Sequence, residues 1–229
     1  MQTSLYTGGQ YVTYNPSWHV EDSPWKAKQI QKILKRNDLQ FSGMAEIGCG
    51  AGEILRQLQV VYPDRQYHGY EISEQAFELC RQREQEGLTY YLKDMLKEDV
   101  NYDIVLAIDV VEHIPDCFGF VSCLKQKAEY KIFHFPLDIS GMTVLMPRYL
   151  AERGEKYGHV HFFTKESALG LLEDSGYQVL NYFYTPASIE RGITWEAKLA
   201  KYPQKILYAI HRNFCIRLIG GFSFMVLAK

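Results

Sequence analysis

Three glycines alternate with other residues in the loop that follows a short apolar segment. They are Gly48, Gly50 and Gly52, and Glu71 closes the next apolar segment 19 positions after the last of them. Glycine lets the backbone approach a ligand where any Cβ would clash, and a helix that starts after such a loop directs free N–H groups at the ligand. A carboxylate at the end of the second strand accepts hydrogen bonds from ribose hydroxyls. The spacing therefore predicts a site for an adenosine-containing cofactor.

The details of the loop distinguish two classes of cofactor. A dinucleotide site has the pattern Gly-x-Gly-x-x-Gly beside a pyrophosphate, whereas these glycines alternate strictly. Glu46 ends the first strand, where its carboxylate would repel a pyrophosphate but attract an ammonium group. The loop favours a nucleoside that carries an amino acid and argues against NAD.

Acidic residues follow two further strand-like segments. An Asp-Met pair at 94–95 follows the third, and Asp-Val-Val-Glu-His at 109–113 follows the fourth. With Glu46, the glycine loop and Glu71, these stretches resemble the class I S-adenosylmethionine-dependent methyltransferases over roughly residues 27–185. The chain is most similar to the group acting on small molecules and glycans, in which the fourth strand ends in an acidic-x-x-Glu-His pattern.

The resemblance implies S-adenosylmethionine as cofactor and S-adenosylhomocysteine as its product. Glu46 and the loop backbone would hold the methionine part, and Glu71 the ribose. Ile72, Asp94 and Met95 would surround the adenine, with a purely structural role as the alternative for each. The cofactor contacts implied in this way are Glu46, Gly48, Cys49, Gly50, Gly52, Glu71, Ile72, Asp94 and Met95.

The N-terminal segment is rich in Tyr, Gly, Asn, Pro and Trp and lacks a sustained helical or strand period. Aromatic rings exclude water and lie against a sulfonium through cation–π attraction. We expect Trp18 or His19 to contact the cofactor or the acceptor, the alternative being that these rings form core beneath the first helix. Lys26, at the start of that helix, is expected to be exposed rather than bound to the methionine carboxylate.

Histidines are the candidates for a catalytic base. Methyl transfer from a sulfonium is an in-line displacement that depends on alignment and exclusion of water, and an oxygen acceptor with a high pKa also needs a base. Histidine suits that role near neutral pH. Our candidates are His113, His134 and His161, with His113 first and a capping or packing role as the alternative for each. A short strand over 158–162 would put His159 and His161 on one face.

Asp109 ends the fourth strand, where ligands bind in this architecture, so it is expected to face the cofactor or the acceptor. Asp109, Glu112 and His113 also offer oxygen and nitrogen ligands for a divalent cation, to be completed by a histidine elsewhere. Their spacing fixes no coordination geometry. The sequence therefore predicts no metal site.

The composition bounds the class of protein. The chain has 229 residues, 47% of them apolar, which suits one α/β domain. Five scattered cysteines without a Cys-x-x-Cys pair indicate a reducing, cytoplasmic setting. We expect no signal peptide and no membrane span, because the sequence has neither a basic leader with an apolar run nor 18 consecutive apolar residues.

The apolar pattern predicts a doubly wound, Rossmann-like α/β fold with a seven-stranded, mostly parallel sheet. Residues 1–25 would form a loop-rich cap, 26–185 the cofactor-binding core, 186–219 an insertion and 220–229 the last strand, antiparallel as in the family it resembles. After the first strand, the predicted strands are Tyr67–Ile72, Thr89–Leu92, Tyr102–Ile108, Tyr130–Phe135, Tyr177–Tyr184 and Gly221–Ala228.

These features predict a methyltransferase that acts on a small molecule or a glycan precursor, with oxygen as the expected acceptor atom. One alternative is a non-catalytic partner subunit that only binds the cofactor. Another is a methyltransferase for RNA or a polyprenyl-phosphate-linked acceptor, since residues 186–229 hold seven Lys or Arg against two Glu. Nucleic acid is not expected as a partner in the leading interpretation, and the sequence does not set the oligomeric state.

Overall fold

Seven apolar segments form the strands of one sheet in the computed structural model, which describes residues 14–191 and 204–229. The strands are β1 (Gly43–Ile47), β2 (Gln66–Glu71), β3 (Leu88–Leu92), β4 (Tyr102–Ile108), β5 (Ala128–Leu137), β6 (Val179–Thr185) and β7 (Phe222–Ala228). Their order across the sheet is β3-β2-β1-β4-β5-β7-β6. β7 is antiparallel to β5 and β6, and the other pairs are parallel. The predicted seven-stranded, mostly parallel, Rossmann-like sheet is confirmed.

Helices connect the strands and cover the sheet. They are α1 (Ser23–Arg36), α2 (Glu53–Val61), α3 (Glu74–Cys80), α4 (Cys117–Leu124), α5 (Gly141–Leu145), α6 (Tyr149–Tyr157), α7 (Lys165–Asp174), α8 (Ala187–Arg191) and α9 (Arg212–Ile219). Residues 204–210 are also helical. None of the helices in the described part of the chain is both long and apolar enough to cross a bilayer.

The central strand β4 shows how the sheet is buried on both faces. It is buried throughout Ile104–Ile108. Because successive side chains of a strand point to opposite faces, Leu106 packs in the layer with α1 and α2, whereas Val105 packs in the layer with α4 and α7. The nearly continuous apolar run predicted this two-sided burial.

Two helices between β5 and α7 were not predicted. α5 begins with a capping box in which Ser140 and Thr143 each accept from the other's backbone N–H. α6 buries none of its nine residues. It therefore contributes no side chain to the buried core from which the other helices were predicted.

The boundaries of the predicted cap and insertion can be compared with the helices that the structure describes. α1 begins at Ser23, three positions before Lys26, and Pro24 lies in its first turn, where a missing N–H needs no partner. α8, the helical residues 204–210 and α9 lie between β6 and β7, where an insertion was predicted. Residues 1–13 of the predicted cap and 192–203 of the predicted insertion lie outside the described residues, and the division into four regions stays a prediction.

Glu53 fixes the start of α2, directly after the glycine loop. Its carboxylate accepts from Arg56 at 2.6 and 2.8 Å, from Gln57 at 2.7 Å, and from Arg83 at 3.0 Å in the turn after α3. Burial alone would raise the pKa of Glu53, but these hydrogen bonds outweigh it and lower the pKa to about 2. The ionised carboxylate therefore ties the loop-proximal end of α2 to the end of α3.

Glu53→Gln should lower the free energy of unfolding by on the order of 2 kcal/mol at pH 7. Because the folded-state pKa lies below the ordinary value of 4.5, this stabilisation is present above pH 4.5 and is lost as the pH falls toward 2. Urea unfolding of both proteins at pH 7, 5 and 3 measures it. Glu78→Gln, which breaks an exposed pair with Arg81, is the matched control and should change little. A difference that is the same at pH 3 and pH 7 would contradict this role of Glu53.

Candidate active site

The glycine loop leads from β1 into α2 with three residues in the left-handed region. Gly48, Gly50 and Gly52 have φ of 66°, 55° and 77°, which L-residues rarely adopt. A Cβ at Gly48 would lie 2.8 Å from Val110, and one at Gly52 would lie 2.5 Å from the Tyr90 ring. A Cβ at Gly50 would have its nearest neighbour 3.9 Å away. Neighbouring side chains therefore leave no room for a Cβ at Gly48 and Gly52. At Gly50 only the positive φ favours glycine.

The Glu71 carboxylate holds this loop against the end of β2. Oε2 accepts from the Gly50 N–H, and Oε1 accepts from the N–H groups of Ile72 and Ser73, all at 2.8 Å. The side chain is buried, and burial raises its pKa while the three N–H donors act in the opposite direction. The structure therefore places Glu71 at the glycine loop, and its contact with a ribose stays a prediction.

Glu46 lies at the end of β1 and is almost completely buried, at 2% exposure. Burial raises its pKa to about 8, with Lys26 opposing the shift and Glu71 and Asp109 adding to it. Its Oε2 has no hydrogen-bond partner among the described residues. A buried, unpaired carboxyl oxygen costs about 1–3 kcal/mol, so this group suits a ligand that donates hydrogen bonds.

Asp109 joins four elements of the fold beyond the end of β4. Its Oδ2 lies 2.7 Å from Lys26 Nζ of α1, and its Oδ1 accepts from His134 Nδ1 of β5 at 2.6 Å. His134 Nε2 is hydrogen-bonded in turn to Thr185 Oγ1 of β6 at 2.9 Å. Burial opposes ionisation of Asp109, but His134 and Lys26 outweigh it and lower the pKa of the carboxyl.

Lys26 was predicted to be exposed, and that prediction is wrong. Its side chain is only 14% exposed and is paired with Asp109. Burial works against the charged form, but the adjacent carboxylate more than compensates and raises the pKa of the ammonium group. The sequence shows only that a lysine stands at the start of a helix. Its contact with Asp109, beyond the end of β4, depends on the tertiary fold.

A second group of ionisable side chains lies just past Asp109. Glu112 and His113 belong to the 3₁₀ turn Val111–His113, and His159 follows α6. Each offers one ligand-type atom, and these atoms all lie within 4.8 Å of one another. We call these three residues the acceptor-side cluster.

Backbone and side-chain bonds hold the acceptor-side cluster together. The N–H groups of Val160 and His161 donate to the Glu112 carbonyl at 2.8 and 3.1 Å. His113 Nδ1 donates to the Gly158 carbonyl at 3.2 Å. These bonds attach the segment after α6 to the turn after β4.

Burial shifts the pKa values of two residues in the acceptor-side cluster, Glu112 and His113. Glu112 is 1% exposed, and burial, with a contribution from Asp109, raises its pKa well above the ordinary value. Burial and the neighbouring His159 lower the pKa of His113 to about 4. His159 donates from Nδ1 to Asp138 Oδ2 at 2.7 Å. His113 is therefore neutral at pH 7, and His159 is oriented by a carboxylate.

Comparison with known proteins identifies the family of this chain. The sequence profile of a family described as "Methyltransferase domain" matches residues 19–182, well over half of the chain. The chain belongs to this methyltransferase family. It is an S-adenosylmethionine-dependent methyltransferase of class I, and the predicted cofactor is confirmed. The acidic-x-x-Glu-His subgroup stays a prediction.

Solved structures share the fold of this methyltransferase at low sequence identity. Magnesium protoporphyrin IX methyltransferase from Synechocystis PCC 6803, with bound S-adenosylhomocysteine, has a TM-score of 0.60 and 18% identity, covering 90% of this chain and 82% of that one. Phosphoethanolamine N-methyltransferase 2 from Haemonchus contortus, with S-adenosylmethionine, has a TM-score of 0.63 and 16% identity, covering 88% and 52%.

A third structure, the plantazolicin methyltransferase with S-adenosylhomocysteine, has a TM-score of 0.62 and 12% identity, covering 100% of this chain and 95% of that one. A search of curated protein sequences finds no significant match. At these identities the structures establish the fold of the methyltransferase and leave its acceptor open.

The residues predicted around the adenine have different environments. Met95 is fully buried in the core, which is the structural alternative considered for it. Asp94 Oδ1 accepts from the Leu96 N–H at 3.1 Å and caps a 3₁₀ turn, whereas Ile72 is 48% exposed. Cys49 is buried beneath the loop. Cofactor contacts of these residues stay predictions.

The cap residues predicted at the cofactor lie over the glycine loop and α6. Trp18 is the nearest neighbour of a Cβ built on Gly50, and the His19 ring lies 6.0 Å from the Tyr157 ring. Both residues have positive φ, 48° and 56°. The structure thus brings Trp18 to the loop where the cofactor was predicted.

Two of the three candidate bases have ring hydrogen bonds outside the acceptor-side cluster, and a catalytic role for them stays a prediction. His134 is 1% exposed, and Asp109 and Thr185 occupy both of its ring nitrogens. His161 donates from Nε2 to the Pro115 carbonyl at 3.1 Å. No strand forms over 158–164 within the described chain, and the two rings have different partners, Asp138 for His159 and Pro115 for His161. His113 alone of the three lies in the acceptor-side cluster.

The sequence-based candidates include neither His159 nor Asp138, the carboxylate that orients it. Asp138 is buried directly after β5, and Arg153 Nε lies 3.6 Å from its Oδ1. An acidic residue directly after a central strand was the available signal, because such positions line the ligand-binding edge of this architecture.

Gly50→Ala should weaken S-adenosylhomocysteine binding about tenfold or more, since the added methyl group would occupy the surface that the cofactor approaches. The fold should lose only about 1–2 kcal/mol from the positive φ. Gly52→Ala should instead unfold much more easily, because its Cβ would meet the Tyr90 ring. Calorimetric titration and thermal unfolding measure the two effects.

Gly176→Ala is the matched control for Gly50→Ala. Gly176 also has positive φ, at 78°, but it ends α7 away from the loop. Its variant should show similar strain with unchanged affinity for S-adenosylhomocysteine. Equal affinity of the Gly50 variant and the control would remove Gly50 from the cofactor surface.

Proposed function

We propose that this methyltransferase moves the methyl group of S-adenosylmethionine to an oxygen atom of a small molecule or a glycan precursor. The observation that carries the proposal is the acceptor-side cluster of Glu112, His113 and His159. A hydroxyl must lose its proton to become a strong nucleophile, which requires a base or a cation beside it. A neutral amine already presents a lone pair and needs neither.

The residues proposed to hold the cofactor support a methyl group that points toward the acceptor-side cluster. The unpaired Oε2 of Glu46 suits the ammonium group of the methionine part, and Glu71 at the loop suits the ribose hydroxyls. Asp109, held by Lys26, lies between this half and the acceptor-side cluster along the chain. The sulfonium methyl would then be directed toward the cluster.

The acceptor-side cluster supplies groups that stabilise ionisation of a hydroxyl. His113 is neutral, and its Nδ1–H bond to Gly158 leaves Nε2 as the nitrogen with a lone pair. His159 is held in the same tautomer by Asp138. The oxygen then attacks the methyl carbon as the sulfur–carbon bond breaks, with alignment as the main source of acceleration.

Incubation with carbon-13-methyl S-adenosylmethionine and fractions of low-molecular-weight cell extract tests the acceptor atom. The carbon chemical shift of the labelled product separates O-methyl from N-methyl groups. We expect O-methyl products. Labelled N-methyl products alone would overturn the proposal, as would S-adenosylhomocysteine formation only in protein fractions.

His159→Gln should lower kcat at least about a hundredfold, a typical effect of removing a group that assists proton loss. Affinity for S-adenosylhomocysteine should not change, because the residue lies on the acceptor side. His161→Gln is the matched variant and should keep most of the activity, since its ring is bonded to Pro115 outside the cluster. Equal rates for the two variants would contradict the assignment.

A cavity beside β6 favours a second candidate, an acceptor that carries a phosphate. The cavity holds about 550 Å³ and is lined by Arg36, Lys165 and Arg212 together with aromatic rings of β6 and of residues 204–210. Arg36 lies 4.9 Å from the Phe183 ring. Within the described chain, Arg36 and Arg212 form no ion pair with a carboxylate. Unpaired cations beside aromatic rings suit a phosphorylated acceptor, as in the RNA or polyprenyl-phosphate alternative.

For such an acceptor, KM should rise steeply with salt, because binding would release ions from the phosphate and the cations. Arg36→Gln combined with Arg212→Gln should reduce that salt dependence and raise KM about tenfold, with kcat unchanged. Arg81→Gln, an exposed arginine paired with Glu78, is the control. A KM insensitive to salt would exclude this cavity from acceptor binding.

A further inference from the structure

We propose that Glu112, His113 and His159 bind one divalent transition-metal cation. Two chain segments bring the three side chains together, the turn after β4 and the segment after α6. Their ligand-type atoms lie within 4.8 Å of one another, and Glu112 Oε1 is 3.8 Å from His113 Nε2. Ligand atoms around a single cation lie about 3 Å apart, so small side-chain rotations suffice to enclose it.

Both histidines are prepared as ligands by the bonds of their other ring nitrogen. His113 donates from Nδ1 to the Gly158 carbonyl at 3.2 Å, and His159 donates from Nδ1 to Asp138 at 2.7 Å. Each bond sets the tautomer in which Nε2 carries the ring's lone pair, and it restrains the orientation of the ring. Metal-binding histidines commonly have this arrangement, with a carbonyl or carboxylate behind the ring.

The carboxyl of Glu112 provides an independent indication of a cation. The residue is 1% exposed, and its Oε2 has no hydrogen-bond partner among the described residues. Its contact with His113 is too long for a hydrogen bond, at 3.8 Å. A buried carboxyl oxygen that lacks a partner within the fold is suited to coordinate a cation.

The donor set differs from the one that the sequence suggested and narrows the choice of metal. Asp109 is committed to Lys26 and His134, so it is replaced by His159. Two imidazole nitrogens and one carboxylate favour manganese, iron, cobalt or zinc over magnesium and calcium, which prefer oxygen ligands. The prediction that no metal site is present is therefore replaced by this proposal.

Three protein ligands leave coordination positions open for an acceptor hydroxyl, a role that rests on the proposed O-methylation. A bound cation lowers the pKa of a coordinated hydroxyl, whose proton passes to solvent. The alkoxide oxygen then bonds to the methyl carbon while the sulfur–carbon bond breaks and its electron pair returns to sulfur. The products are the methyl ether, S-adenosylhomocysteine and one proton.

Titration of chelator-treated full-length protein with Co²⁺ tests the site without any acceptor. We expect one equivalent to bind and to give the visible absorption of cobalt with nitrogen and oxygen ligands. Glu112→Gln and His159→Gln should each weaken binding about a hundredfold, and Asp138→Asn about tenfold. Calorimetric binding of S-adenosylhomocysteine shows that each variant is folded.

His211→Gln, an exposed histidine next to α9, is the matched control and should leave cobalt binding unchanged. Absence of stoichiometric cobalt binding to the wild-type protein would overturn the proposal. Binding that is equal in wild type, Glu112→Gln and His159→Gln would overturn it as well.

The metal site and the proposed function fail separately. Cobalt binding that the two variants abolish, together with labelled N-methyl products only, would keep the site and refute O-methylation. If cobalt does not bind, and O-methyl products form at the same rate with and without chelator treatment, the metal site is refuted and O-methylation is kept.

Discussion

The ionised carboxylate of Asp109 is the interaction on which the arrangement of the site depends. It bonds Lys26 of α1 and His134 of β5, and through His134 it reaches Thr185 of β6. Lys26 is only 14% exposed, so removing the Asp109 carboxylate would leave its charge largely uncompensated, which is destabilising. Asp109 itself has a φ of 53° and turns the chain out of β4. The direction of the following turn, and hence the place of Glu112, is set by this bond network.

The cofactor side is organised by a different principle, the bonding of side chains to backbone N–H groups. Glu71 accepts three N–H donors from the glycine loop and from the chain after β2. Glu53 anchors the helix that leaves the loop. Both carboxylates are buried, and their bonds hold the loop and the start of α2 against the end of β2 and the turn after α3. The two halves of the site meet where the carboxyl ends of β1 and β4 lie side by side.

Much of the fold and the position of the glycine loop followed from local patterns, whereas the acceptor-side cluster did not. Apolar runs located the strands, and the spacing of Gly48 to Gly52 with Glu71 located the loop, because these features lie within one β-α-β unit. The burial of Lys26 and the pairing of His159 with Asp138 depend on segments distant in sequence. The sequence alone does not show whether a histidine only bonds an aspartate, as His134 does, or also lies in the acceptor-side cluster. The place of His159 depends on how the segment after α6 packs against the turn after β4.

The position of β7 also determines how β6 is held in the sheet. β5 and β6 are not paired with each other, since β7 lies between them and supplies all the sheet hydrogen bonds of β6. β6 therefore has no place in the sheet until β7, which follows it by more than 30 positions, has been inserted. The two strands form one cooperative unit whose transient release would show as shared hydrogen-exchange rates. Such release would withdraw Thr185 from His134, so the pairing of β6 with β7 also completes the bond network around Asp109.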